Sequence, residues 1–123
     1  MHWHDLIWVS GGGACGAVLR YLISIYFISR FPGFPWGTLW VNLMGCLGAG
    51  IALGLFPNAS YSPAKLFWLT GILGGFTTFS AFGLETINLY LQKQYLLSFL
   101  NITFNLFGGL SMVALGWWLS KGH

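Results

Sequence analysis

The chain has 123 residues, of which 56% are hydrophobic and 6% charged, a balance that excludes an ordinary water-soluble domain and points to an integral membrane protein. Its net charge of +3 comes from only five scattered lysines and arginines, so the basic cluster that nucleic-acid binding requires is missing. There is no nucleophile beside a base, no paired carboxylate, no metal-ligand spacing and no phosphate loop with its lysine, so an enzyme is not expected.

Four apolar stretches, near Leu6 to Ile28, Trp36 to Phe56, Leu66 to Leu91 and Tyr95 to Leu119, each approach the roughly 20 residues that a spanning helix needs. The expectation is an all-α, four-span protein forming one transmembrane domain over residues 1–123, with short polar turns between spans. The first span opens without the basic start of a cleaved signal peptide and is expected to be retained. His2, His4 and Asp5 at its edge read as a solvated tail, and Cys15 and Cys46 as small apolar thiols. Gly12 and Gly16, like Gly13 and Ala17, stand four apart and form a flat face for a neighbouring helix. Arg20 lies several residues inside the span, so it must snorkel, pair or face water, and Glu85 is the one acid at comparable depth. Whether Arg20 is a vestibule cation or a direct ion contact is left open by the residues.

In the second span Thr38 and Asn42 share a face with Gly45, and an amide NH₂ at that depth needs an acceptor, from another helix or from a dehydrated anion. The third span holds the most unusual segment, Gly71 to Gly83, in which glycines and hydroxyls interrupt an apolar run. A break is expected at Gly74 to Thr78, because backbone groups freed there must be satisfied by protein, water or an ion. Phe79 and Phe82 follow on one face. Packing against lipid would explain them, and so would a positive ring edge turned to an anion. The freed carbonyls suit a hard cation such as Na⁺. On the fourth span Asn101, Asn105, Gly108 and Gly109 form a stripe that reads equally as interhelical glue or pore lining.

Lys65 and Lys121 fall on one side of a four-span topology, Arg30 and Lys93 on the other, so the positive-inside rule gives almost no orientation. A chain that inserts both ways can pair with an inverted copy of itself, and an antiparallel dual-topology homodimer is expected.

Taken together, Gly12-Gly13, Gly16-Ala17 and Arg20, then Gly37-Thr38-Leu39 with Val41-Asn42 and Gly45, then Gly74-Gly75-Phe76-Thr77-Thr78-Phe79-Ser80 with Phe82 and Glu85, closely resemble the Fluc (CrcB) fluoride channels of bacteria. The resemblance covers essentially the whole chain. It implies a fluoride-selective channel in the bacterial inner membrane that passively exports F⁻ and so lowers cytoplasmic fluoride toxicity, with two pores and a central structural Na⁺ in the homodimer. By position, Gly74 and Thr77 resemble the residues whose backbone carbonyls hold Na⁺. Asn42, Phe79, Phe82 and Ser80 are similar to fluoride-pathway residues, with Thr38 and Asn105 as further pore candidates. Arg20 and Glu85 resemble the vestibule and structural charges. Ala81 stands where some relatives carry a hydroxyl. Two alternatives stand beside it: a small dual-topology multidrug or cation exporter, which would have to use Glu85, and a noncatalytic membrane assembly subunit, which leaves Asn42, Thr77, Thr78 and Asn105 without a common purpose.

Overall fold

The computed structural model describes residues 2–58 and 61–122 of the chain. Four helical segments in it are long and apolar enough to cross a membrane: Trp3–Arg30, Trp36–Leu55, Pro63–Leu91 and Tyr95–Ser120. The described residues contain no strand. The first and second spans are joined by a tight turn in which Gly33 takes a left-handed φ of 104°, a conformation glycine adopts at little cost. The third and fourth are joined through Lys93, at φ 61°, whose N–H returns to the Tyr90 carbonyl (2.9 Å) while the Gln94 N–H returns to Leu89 (2.9 Å). These two bonds close the helix end in the manner of a left-handed cap, with lysine in the usual place of glycine.

Two seams of small residues set the rotation of the helices. The first span lies along the first half of the third, where a Cβ on Gly71 would stand 2.8 Å from the Cα of Gly12. The flat face read from Gly12 and Gly16 is therefore a helix–helix contact, against the carbonyls of Phe67 and Ile72. The second span lies against the fourth, with Gly50 on the Val113 carbonyl and Gly116 on that of Leu47. Such close approach lets dispersion and interhelical hydrogen bonds hold helices where lipid provides no hydrophobic drive.

The interior is correspondingly polar. Among the described residues Leu39, Val41 and Leu89 are the buried apolar side chains, whereas Asp5, Thr38, Thr78, Thr86, Ser98 and Asn101 are buried polar ones. Large apolar side chains face outward along all four spans, as expected where the surroundings are as apolar as leucine.

The third span is broken where glycine and threonine predict it, and the break is sharper than the segment Gly74 to Thr78. Gly74–Phe76 is still helical, and only Thr77 (φ −80°, ψ 154°) and Thr78 (φ −148°, ψ 119°) are extended, after which Phe79–Leu91 resumes the helix. Two further departures from α geometry have no signature in the periodicity: wide π turns over Leu66–Leu73, ahead of the break, and over Phe104–Gly108 in the fourth span. Such turns are common at functional sites.

Candidate functional site

Threonine is β-branched and favours extended backbone, so two in succession after a glycine pair end the helix. Thr77 still closes the preceding turn, its N–H and its hydroxyl both reaching the Leu73 carbonyl (3.0 Å each). Thr78 starts the next helix as its N-cap, with Oγ1 accepting from the Ala81 N–H (3.2 Å). The peptide at Thr78 is then taken up by the second span. Its N–H donates to Asn42 Oδ1 (2.8 Å), and its carbonyl accepts from Asn42 Nδ2 (3.0 Å). One asparagine amide thus pairs with the broken backbone as a neighbouring peptide would, satisfying both groups where lipid cannot.

This arrangement has a consequence for the carbonyls. In an unbroken helix the Gly74 carbonyl would accept from the Thr78 N–H, and that of Thr77 from the Ala81 N–H. Both donors are diverted, to Asn42 Oδ1 and to Thr78 Oγ1. The two carbonyls that the resemblance suggests as Na⁺ ligands are among those the break leaves without their helical donors, and backbone carbonyl oxygen is the donor type a hard cation takes. Gly74 is exposed, and a Cβ added there would meet nothing nearer than the Leu69 carbonyl at 4.0 Å. No packing among the described residues calls for glycine at that point.

Asn42, Gly74, Thr77, Phe79, Phe82 and Asn105 are gathered on one open groove of about 720 Å³ between the second, third and fourth spans. Thr78 also lines it, as do Cys46 and the small residues Gly45 and Gly109. Phe79 projects freely, 82% exposed, and its ring centroid lies 5.5 Å from that of Phe82 at an interplanar angle of 56°. Ser80 is exposed and lies off the groove lining, with its hydroxyl 3.4 Å from Thr78 Oγ1.

The other candidates stand apart. Thr38 is buried and donates to Glu85 Oε1 (2.6 Å), and both line a separate small cavity of about 30 Å³ near Ser24 and Trp36. Glu85 Oε2 is buried without a hydrogen-bond partner among the described residues. Thr38 therefore does not share the groove with Asn42, although both lie on one helix face four residues apart. Arg20 is half-buried on the first span and lines neither cavity. No ion pair joins it to Glu85 among the described residues.

Sequence reasoning missed the depth of the polar network behind Asn42. The second hydrogen of its amide goes to Asn105 Oδ1 (2.9 Å). Asn105 Nδ2 reaches the Asn101 carbonyl and Oδ1 (2.9 and 3.0 Å), and Asn101 Nδ2 reaches Thr86 Oγ1 (2.9 Å). The stripe of Asn101 and Asn105 hinted at this network. Thr86 gave no sign, since one threonine in an amphipathic turn is unremarkable until its partner is known.

Comparison with known proteins places these features in a family. The family model described as CrcB-like protein, Camphor Resistance (CrcB), matches residues 7–117. The chain is 43% identical over 119 residues to the fluoride-specific ion channel FluC of Haemophilus influenzae strain PittGG, which covers 94% of this chain and 92% of the relative. It is 39% identical over 119 residues to the protein of the same name from Helicobacter acinonychis strain Sheeba, covering 94% of each chain. Identity to the FluC of Azobacteroides pseudotrichonymphae is 41% over 113 residues, covering 89% of this chain and 90% of the relative. With four helices able to span a membrane and a match along nearly its whole length, the chain belongs to the CrcB family, a family of multi-pass membrane proteins that are ion channels and not enzymes.

Proposed function

We propose that the protein is a fluoride-selective channel that lets F⁻ leave the cytoplasm down its electrochemical gradient through the bacterial inner membrane. The observation that carries this reading is the convergence on one groove of an amide donor, a broken backbone and a pair of phenylalanine rings. Fluoride is small and strongly hydrated, so a selective path must replace its water with short donors while remaining loose enough to release it. Asn42 is such a donor. Both of its amide hydrogens are engaged within the chain, on Thr78 and Asn105. An ion would therefore compete for one of them, a weak contact of the kind permeation needs. The aromatic edges of Phe79 and Phe82 add attraction without a fixed charge.

The working unit in this proposal is an antiparallel homodimer with two pores. Its support is the open groove, the exposed Gly74, where an added Cβ would meet only the Leu69 carbonyl at 4.0 Å among the described residues, and the near balance of Lys and Arg, three against two once Arg20 is counted. Two copies about a two-fold axis would bring the freed Gly74 and Thr77 carbonyls of each together, where they would hold a structural Na⁺. Bound there, Na⁺ would supply a fixed positive charge and a tie between subunits. Glu85, the residue a cation exporter would need, is hydrogen-bonded to Thr38 and lies away from the groove.

The test is fluoride and chloride efflux from liposomes loaded with both salts, with valinomycin relieving the build-up of charge. Fast loss of fluoride with chloride retained, reduced on changing Phe82→Leu, is the expected result. Absence of fluoride flux from folded protein overturns the proposal.

A further inference from the structure

Behind Asn42 the hydrogen-bond directions are pinned by two backbone carbonyls that can only accept, that of Phe82 at the Thr86 end and that of Asn101 beside Asn105. The Thr86 hydroxyl donates to the Phe82 carbonyl (2.7 Å), which can only accept, so its oxygen is left to accept from Asn101. Asn101 is fully buried at 0% exposure, and that bond turns its Nδ2 to Thr86 and its Oδ1 to Asn105. Asn105 in turn spends its NH₂ on Asn101, on the backbone carbonyl and on Oδ1. What Asn105 offers toward Asn42 is therefore an oxygen, an acceptor that attracts the Asn42 amide hydrogen and repels an anion. Placed on the groove as a candidate fluoride ligand, Asn105 has no donor left to give.

We propose that Asn101, oriented by Thr86, is a positioning residue: it holds the Asn105 amide with its oxygen toward Asn42, so that Asn105 is the acceptor from which an entering anion draws the Asn42 donor. The inference rests on the fluoride-channel reading for its consequence, and on the hydrogen-bond directions alone for its geometry. Losing the Thr86 hydroxyl leaves Asn101 Nδ2 buried without an acceptor, and a flip of Asn101 to escape would set its NH₂ against that of Asn105. A buried network in which one member is unsatisfied is costly as a whole.

Three variants test this in the full-length protein in liposomes. Thr86→Val, which keeps the shape and removes the hydroxyl, should lower the maximal fluoride efflux about tenfold, whereas Thr86→Ser should stay within about twofold of the native rate because the oxygen remains. Asn101→Asp keeps an acceptor for Asn105 and lacks the hydrogen for Thr86 while ionised. Its efflux, corrected for protein-free vesicles, should therefore recover as pH falls from about 8.5 to about 6, with the native protein and Thr86→Ser flat. The geometry is read separately by solid-state NMR of side-chain amides, where the chain has five asparagines. Thr86→Val should shift the Asn42 and Asn105 amide signals and Thr86→Ser should leave them in place. Unmoved amide signals in Thr86→Val overturn the relay whatever the flux. Shifted signals with native flux in both Thr86→Val and Asn101→Asp overturn its part in permeation. Absence of fluoride flux from the native protein refutes the channel reading, while the amide signals still decide the geometry.

Discussion

Asn42→Leu removes the amide while leaving a side chain of similar length in its place. Three hydrogen bonds of 2.8 to 3.0 Å are lost with it: from the Thr78 N–H, to the Thr78 carbonyl and to Asn105 Oδ1. At the average of about 0.6 kcal/mol per interhelical hydrogen bond measured in a membrane protein, the loss is about 2 kcal/mol. Each orphaned group that finds no water adds its desolvation penalty, about 1–3 kcal/mol for a buried donor or acceptor. Thr78 is 8% exposed, so its N–H is poorly placed to find water, whereas Asn105 lines the open groove. With one full orphan, the expected total is about 3–5 kcal/mol. The assay is unfolding in mixed detergent followed by the fluorescence of the seven tryptophans. The control is Thr103→Val, whose hydroxyl only returns to the Phe99 carbonyl of its own helix (2.9 Å), with a change expected within about 0.5 kcal/mol. If Asn42→Leu unfolds at the same midpoint as that control, Asn42 does not hold the break, and the account of the site fails.

Three further outcomes are expected. Gly16→Ala places a Cβ against the Ile72 carbonyl and 2.8 Å from the Phe76 nitrogen, both backbone, and should destabilise by about 1–3 kcal/mol, while Gly83→Ala, with nothing within 4 Å, should be neutral or mildly stabilising in the same unfolding assay. Lys93→Gly relieves the left-handed φ of 61° at a helix end and should raise stability by about 1 kcal/mol; a decrease would show that the lysine side chain contributes more than its strain costs. Tyr61 hydrogen-bonds to the Asp5 carboxylate, and that bond, followed by desolvation, pushes its phenol above the usual tyrosine value. Because the folded value is the higher, this contribution is fully present below about pH 10 and is lost as pH rises through the folded value. Stability should fall on the alkaline side in the native protein and not in Tyr61→Phe, as followed by unfolding midpoints alongside tyrosinate absorbance.

The features legible from residues were those that depend on neighbours in the chain. The number of spans followed from apolar length, and the site of the break from Gly74, Gly75, Thr77 and Thr78 in succession, since backbone freedom and β-branching act within a few residues. The π turns at Leu66–Leu73 and Phe104–Gly108 were not legible, because an extra residue per turn leaves no trace in stretches that carry one polar side chain each, Thr70 and Asn105. Thr38 and Asn42 illustrate the limit from the other side. Their spacing puts them on one face, yet one meets Glu85 in a small cavity and the other the broken backbone on the groove.

By itself, then, the sequence determined a four-span membrane protein with a weak point in its third helix, a glycine face on its first, and polar groups too deep to be idle. Only the tertiary structure decided which polar group meets which: Asn42 with Thr78 across 36 residues, Thr38 with Glu85 across 47, Asn42 with Asn105 across 63, and Arg20 with no acid among the described residues. The reason is rotational. Helix propensity and hydrophobic length leave each span free to turn about its axis, and the angle is set where backbones touch, at Gly12 on Gly71 and at Gly50 and Gly116 between the second and fourth spans. Those contacts join residues far apart in the chain, and they aim every donor and acceptor of the site.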